Sequence, residues 1–366
     1  MAAGATIAVK PESLGDPYYM LDGDDRTGWT SDKLAEPVVI ELGDRSTIHE
    51  FRFATKNDEI ESRRPKELLL EMSDAGPDSG FQTIADLQLP PEELDGRAFP
   101  VTAQVPGRWL RVTAKSVQSG DIVQIMELEA YGDRLTHDSA PSVTGSWTFN
   151  AAGSFELKQD GTTVAGCIDE RPFVGGIEGR VLKFAADFGE NGKGPAVLVI
   201  SGDGKRLAGG WWRADSKVVE HPTIALLEAT KKSGTPQTCA AWKLKDPLES
   251  ELEQQKRVRL YGINFDIDSD QIRAESKPTL DKLAAILKTN AAWKITIEGH
   301  TDSTASAEHN QQLSARRAES VKSYLAAAGI EASRLTATGL GATQPLATND
   351  TSLGRAQNRR VEIVRE

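Results

Sequence analysis

Tight-turn dipeptides punctuate the middle of this chain: Asp160-Gly161, Asn191-Gly192 and Asp203-Gly204 each fall between short apolar runs. Such pairs tolerate the positive φ of type I′ turns, whose twist matches that of paired antiparallel strands. A segment broken up in this way forms hairpins and has no room for long helices. Residues 142–245 carry these signals between runs such as Gly145-Ser-Trp-Thr-Phe, Ser154-Phe-Glu-Leu-Lys and Ala196-Val-Leu-Val-Ile. Successive hairpins with Gly-rich strands predict a small antiparallel β-barrel or meander.

The flanking segments follow other rules. Residues 1–135 hold short strand-like runs, among them Val38-Val39-Ile40-Glu41-Leu42 and Trp109-Leu110-Arg111-Val112, bounded by Gly, Pro, Asp and Ser. That spacing predicts an all-β sandwich. Residues 246–256, Asp-Pro-Leu-Glu-Ser-Glu-Leu-Glu-Gln-Gln-Lys, are polar and acidic and read as a linker. From 257 to 366 the pattern alternates between α and β. Strands are expected over 258–265, 294–298 and at the end of the chain, and helices over 278–288 and 313–328. The whole is multidomain.

Charge and hydropathy exclude several classes. The 366 residues hold 43 Lys plus Arg against 54 Asp plus Glu, a net charge of −11. Nucleic-acid binding rests on clustered cations that neutralise phosphates, so none is expected. Adsorption to an anionic membrane surface is disfavoured for the same reason. No run approaches 18 consecutive apolar residues, so no transmembrane segment is expected. Met1-Ala2-Ala3-Gly4 lacks a basic run followed by an apolar one, so no signal sequence is expected in this chain, which reads either as cytoplasmic or as exported with its signal removed. The five histidines show no metal-ligand spacing, and neither GxSxG nor a P-loop occurs. Catalysis is not expected.

The helix at 313–328 holds the most informative residue. Its apolar stripe runs through Leu313, Val321, Tyr324, Leu325 and Ala328, and Arg317 falls on that stripe. A guanidinium on an apolar face needs to snorkel or to meet an anion. An internal ion pair and a ligand carboxylate would each satisfy it. The strand before this helix ends in Gly299-His300-Thr301-Asp302, which puts Asp302 just past the carboxyl edge, where ligands of open α/β sheets bind. An acid beside a guanidinium suits a zwitterion, the acid taking an ammonium and the arginine a carboxylate.

These residues belong to an ordered set: Phe265-Asp266, Gly299-His-Thr-Asp, Asn310-Gln-Gln-Leu-Ser-Ala-Arg-Arg-Ala-Glu-Ser-Val, Gly329-Ile, Gly339-Leu-Gly and Asn358-Arg-Arg-Val-Glu. The set resembles the OmpA-like peptidoglycan-binding domain over about 110 residues. That resemblance implies non-covalent binding of the diaminopimelate in the peptidoglycan stem peptide. It assigns Asp302 and Arg317 to the ligand, with Thr301, Asn310 and Leu313 lining the same groove. Arg359 and Arg360 match the family's paired arginines and are read as structural. Ala305 stands where the family has Gly and His309 where it commonly has Tyr, which alters the loop over the site. The implied location is the periplasm or the outer membrane of a Gram-negative-type bacterium.

Further resemblance lies in the first segment. The run Leu21-Asp-Gly-Asp-Asp-Arg-Thr-Gly-Trp-Thr-Ser, then Gly107-Arg-Trp-Leu-Arg-Val and Ile125-Met-Glu-Leu-Glu-Ala-Tyr-Gly, is similar to the discoidin or galactose-binding-like sandwich. Its carbohydrate-binding members hold a structural calcium, here implied at Asp24, Thr27 and Glu127; an Asx-rich turn without metal is the other reading. Trp29 and Trp109 sit at motif positions normally in the core. In the middle segment Trp147, Trp211, Trp212 and Trp242 either fill a small barrel or line an apolar cavity, filling being favoured. Cys167 and Cys239 both fall there, and taken alone they fit either a disulfide or two buried thiols. The extracytoplasmic location implied by the C-terminal resemblance favours the disulfide. The sequence thus predicts a non-catalytic envelope protein that needs no cofactor beyond that calcium. It would bind peptidoglycan and present its β domains to a glycan or an envelope protein. An adhesin or carbohydrate receptor is the alternative.

Overall fold

The computed structural model describes residues 4–22, 27–54, 61–92, 94, 97–101, 103–136, 140–149, 153–211, 225–239, 247–260, 263–265, 268–349 and 352–366. Two compact units emerge: residues 1–141 with 199–203, and residues 142–198 with 204–366.

In the first unit, β1 (Thr6–Val9), β3 (Val38–Ala54), β7 (Gly107–Val117), β4 (Pro65–Ser73) and β5 (Gln82–Gln88) follow one another across a seven-stranded sheet. The long β3 changes partners midway. Residues 38–41 pair with β7, while 46–54 pair with β9 (Glu127–Arg134) and 50–52 with β6 (Ala98–Pro100). A separate pair, β2 (Trp29–Ser31) and β8 (Val123–Ile125), completes the all-β unit. Alternation along β4 and β7 buries Leu68, Leu70, Met72, Leu110 and Val112. Trp29 is fully buried, as its motif position predicts, whereas Trp109 is only half-buried.

The second unit opens with a closed barrel of eight strands. These are β10 (Gly145–Phe149), β11 (Ser154–Asp160), β12 (Thr163–Ile168), β13 (Arg171–Glu178), β14 (Val181–Asp187), β15 (Lys193–Ile200), β16 (Arg206–Trp211) and β17 (Ala225–Ser233). They pair in chain order and β10 closes on β17, which removes both sheet edges. Phe149, Phe155, Phe173 and Phe184 stack with centroids 4.5–5.7 Å apart. Trp147 is buried and donates its indole N–H to the Val143 carbonyl at 2.9 Å. Trp211 stacks on Phe188, while Trp212 and Trp242 lie outside the described residues. Cys167 of β12 is disulfide-bonded to Cys239, and both are buried. Closing a separation of 72 residues contributes about 4 kcal/mol in the chain-entropy picture.

The remainder is α/β. The elements are α1 (Pro247–Gln255), β18 (Arg257–Leu260), α2 (Lys277–Thr289), β19 (Ile295–His300), α3 (Ala307–Ala327), β20 (Leu335–Gly341), α4 (Ser352–Asn358) and β21 (Arg360–Arg365). The sheet order is β18-β21-β19-β20, with β19 and β20 parallel. Three expectations need correction. The stretch read as a linker is helix α1, because Leu248 and Leu252 are buried in the C-terminal core, worth roughly 1.5–3 kcal/mol each. Glu251 on that helix is pushed up to about 7 by burial, so its acidity does not mark a solvated tether. Helix α3 starts at Ala307, six residues before the expected start, capped by the Ser306 hydroxyl, which accepts from the His309 N–H. The expected strand over 258–265 is shorter, ending at Leu260.

Candidate ligand-binding site

Helix α3 lies unusually close to the parallel pair. A Cβ at Gly299 of β19 would collide with the Ser314 carbonyl, and one at Gly339 of β20 with the Ala315 backbone. Only glycine admits that approach, and it sets the first turns of α3 beside the loop that follows β19.

That loop carries Asp302, which is 7% exposed. Its Oδ1 accepts from the Thr304 N–H at 3.1 Å and the Thr304 hydroxyl at 2.6 Å, and its Oδ2 from Arg359 Nη1 at 2.8 Å. Burial opposes ionisation, but the bonds from Thr304 and Arg359 outweigh it and hold the carboxyl below its ordinary range. Asn349 and Asn358 fasten the same loop: the Ser303 N–H donates to Asn349 Oδ1, which also accepts from Asn358 Nδ2.

Arg317 of α3 is half-buried. Its Nε donates to the Ser269 carbonyl at 2.9 Å, and its guanidinium lies over the Phe265 ring at 4.9 Å. Burial and the Arg359 charge pull its pKa down, opposed by Glu178, Asp268 and Asp302. An arginine so placed stays charged. The other groove positions frame the pair. Thr301 is buried and its hydroxyl has no hydrogen-bond partner among the described residues, while its N–H donates to the Gly341 carbonyl. Asn310 is buried and donates Nδ2 to the Ala305 carbonyl at 3.1 Å, so it clamps the loop. Leu313 is buried in α3.

Both departures from the family pattern are absorbed. Ala305 does not adopt a positive φ, so the missing glycine brings no backbone strain. His309 pairs through Nε2 with Asp268 Oδ1 at 2.7 Å on an exposed surface, where such pairs contribute little. The paired arginines divide the labour that the sequence assigned to both. Arg360 is buried and bonds Glu362, the Asn358 carbonyl and the Gln344 carbonyl. Arg359 is the residue sequence reasoning missed: it reaches the site and grips Asp302.

A second charged cluster occupies β18, β19 and β21. Glu298, His300 and Glu362 bring their ligand atoms within 4.8 Å of one another. Arg257 pairs with both acids, Arg259 with Glu362 at 3.5 Å and Arg360 with Glu362 at 2.6 Å. Three guanidiniums against two carboxylates leave a positive surplus that repels a cation. His300, buried beside them, is lowered to about 4 by burial and then by the Arg360 charge. Of the implied calcium set, Asp24 lies outside the described residues. The Thr27 hydroxyl donates to the fully buried Asp22 at 2.8 Å, and Glu127 opens β9.

Residues 264–359 match the OmpA family. The outer-membrane lipoprotein YfiB of Pseudomonas aeruginosa is 41% identical over 105 residues, 29% of this chain and 60% of that protein. The chain therefore spans less than two thirds of that relative, and only 30% of outer membrane porin F of the same species, to which it is 41% identical over 107 residues. The peptidoglycan-associated lipoprotein of Burkholderia pseudomallei is 32% identical, with 28% of this chain and 88% of that one covered and a TM-score of 0.27. The peptidoglycan-associated lipoprotein of Rhizobium meliloti is 35% identical over 144 residues, which cover 39% of this chain and 82% of that protein. By that extent of likeness, the chain belongs to the OmpA family.

Proposed function

We propose that this chain is a non-catalytic envelope protein whose C-terminal domain binds peptidoglycan without covalent chemistry. The observation that carries the reading is the placement of Arg317, a half-buried guanidinium mounted on Phe265 in the same domain as the ionised Asp302, whose charge it feels. The ligand would be the zwitterionic end of diaminopimelate, its ammonium on Asp302 and its carboxylate on Arg317. Charge-assisted bonds of this kind contribute roughly 1.5–3 kcal/mol each. The name of the peptidoglycan-associated relative supports peptidoglycan as the partner. It also supports a place in the envelope, periplasmic or at the outer membrane. Among the described residues no helix is long and apolar enough to cross a membrane.

Co-sedimentation of the full chain with sacculi tests this. Parent protein should pellet with diaminopimelate-type walls, and Asp302→Ala and Arg317→Ala should weaken retention at least tenfold while circular dichroism stays unchanged. Walls whose stem peptide carries lysine lack the second carboxylate and should retain little. Equal retention by both walls would remove the zwitterion, and no retention of the parent would remove the function. The N-terminal unit we assign to partner or glycan display, with a structural calcium at Asp24, Thr27 and Glu127. A melting temperature unmoved between calcium and chelator would dispose of the metal.

A further inference from the structure

Three consecutive residues at the end of α4 hold three different parts of the second unit. Arg359 grips Asp302, and its own N–H continues the last helical turn by donating to the Arg355 carbonyl at 3.1 Å. Asn358, fully buried, accepts through Oδ1 from the Leu346 and Ala347 N–H groups at 2.7 and 3.1 Å. Its Nδ2 donates to the Ala347 carbonyl and to Asn349 Oδ1, the oxygen that also takes the Ser303 N–H. Gln357 turns the other way. Its Nε2 donates to the Ala196 carbonyl of β15 at 2.7 Å, and both residues are fully buried. Successive side chains on a helix diverge by about 100°, so one turn of α4 serves the barrel, a loop and the site at once.

The glutamine is there for its donor. Its Oε1 is buried and has no hydrogen-bond partner among the described residues. An amide buried with one end unsatisfied is costly, so the other end carries the reason for its presence. Exchanging the two ends would set the amide oxygen against the Ala196 oxygen, which fixes the orientation. The barrel is fastened a second time, at α2. The Thr162 and Thr163 hydroxyls meet the Thr279 hydroxyl at 2.5 and 3.2 Å, all three residues buried, and Lys282 pairs with Asp160 at 3.5 Å. That seam can be cut without altering Gln357, Asn358 or Arg359.

We infer that Gln357 is a positioning residue for the wall site: the barrel, through the Ala196 carbonyl, sets where α4 ends and so where Asn358 and Arg359 hold the Asp302 loop. The inference rests on the wall-binding reading and gives the barrel a part in it. Without the Gln357 bond the last turn of α4 loses its anchor on β15, Arg359 loses a fixed base, and the Asp302 carboxylate is no longer held in one place for an ammonium. By reciprocity, a ligand on Asp302 steadies Arg359 and α4, so wall binding and barrel docking favour each other.

Retention of the full chain on diaminopimelate-type sacculi tests this, with circular dichroism and a denaturant midpoint for each variant. Gln357→Met keeps the length and removes the donor, and should raise the concentration for half-retention at least threefold. Thr279→Val cuts the α2 seam and should change it less than twofold, even where its midpoint falls as far. Added to Arg359→Ala, Gln357→Met should cost less than a further twofold, because it acts through that arginine; a loss that multiplies in full would overturn the inference. Gln357→Glu has the same shape and donates to the carbonyl only while protonated, a state that burial favours. Measured against the parent at each pH, it should be retained equally at about pH 5 and at least threefold worse at about pH 8. Should Gln357→Met fail to fold, that pair of ratios decides, and equal ratios overturn the inference. If Gln357→Met and Thr279→Val weaken retention alike, docking in general is at work and the positioning role is wrong. If Gln357→Met matches the parent while Arg359→Ala loses binding, the inference falls and the wall reading stands. If the parent itself is not retained, both fall together.

Discussion

Two clusters of charge lie within the C-terminal domain, and they use the same residue types to opposite ends. In the β18–β19–β21 cluster, Glu362 accepts from Arg257 and Arg360, and every strand contributes a member. Burial opposes its ionisation, but Arg360 and Arg257 hold it at about 2. At the loop after β19, Asp302 accepts from Arg359 and Thr304, and Arg317 stacks on the Phe265 ring and donates to the Ser269 carbonyl. The first cluster closes on itself and fixes the sheet. The second places an acid and a guanidinium near the loop that follows β19, the pair that the wall-binding proposal uses. Density of charge does not distinguish structure from recognition; the partner each charge is given does.

The largest test of this contrast is Arg360→Ala. Arg257 and Arg259 still face Glu362, but removing the buried guanidinium takes the donor from Glu362 and from the Asn358 and Gln344 carbonyls and should cost about 3–5 kcal/mol, read as a shift in denaturant midpoint. Retention per folded molecule on sacculi should stay unchanged. Loss of retention without loss of stability would reverse the roles given to the two clusters.

Acid should attack the closed cluster next. His300 has a folded pKa of about 4, below its ordinary 6.5, so the unfolded chain takes up the proton first. Its contribution is complete above pH 6.5 and is lost as pH falls toward 4, by up to about 3 kcal/mol. Glu362 adds a second loss only as pH drops from about 4.5 through 2. A stability curve measured over this range should steepen below pH 6.5, and His300→Leu should flatten it; an unchanged slope would show that the histidine does not sense the cluster.

Arg359→Ala probes the open side. The side chain is 40% exposed, so stability should change by less than about 1 kcal/mol. Wall retention should fall roughly tenfold because Asp302 loses its orienting partner. The same variant lets the Asp302 carboxyl return toward its ordinary range, so retention should fail at a higher pH than in the parent. The smallest effect belongs to His309→Gln, which removes an exposed pair with Asp268 and should move neither stability nor retention by more than about 0.5 kcal/mol.

Much of the site was legible because its residues are anomalies in their local pattern. Arg317 interrupts an apolar stripe and Asp302 ends a strand, and either stands out in one dimension. Arg359 did not stand out, since it and Arg360 are the same letter side by side, and only the turn of the chain at the end of α4 sends one to the site and the other into the sheet. Strand β20 was missed for a related reason: Gly339 and Gly341 read as loop punctuation, yet Gly339 is there because α3 presses on it. Helix α1 hid behind its acids, of which Glu251 sits in the protein rather than in water. The barrel was foreseeable from its turns, but no periodicity within β14 reports that Lys183 is only 4% exposed.

The disulfide between Cys167 and Cys239 has a mechanical meaning if the C-terminal domain is held by a wall while the rest of the molecule is pulled elsewhere. Cys239 lies eight residues before α1, so tension on that domain arrives there first. From Cys239 the load passes through a covalent bond into β12, inside the barrel, without peeling β17 from its neighbours. Under stretch the barrel is gripped by its middle, and the strand nearest the tether is spared the task of holding.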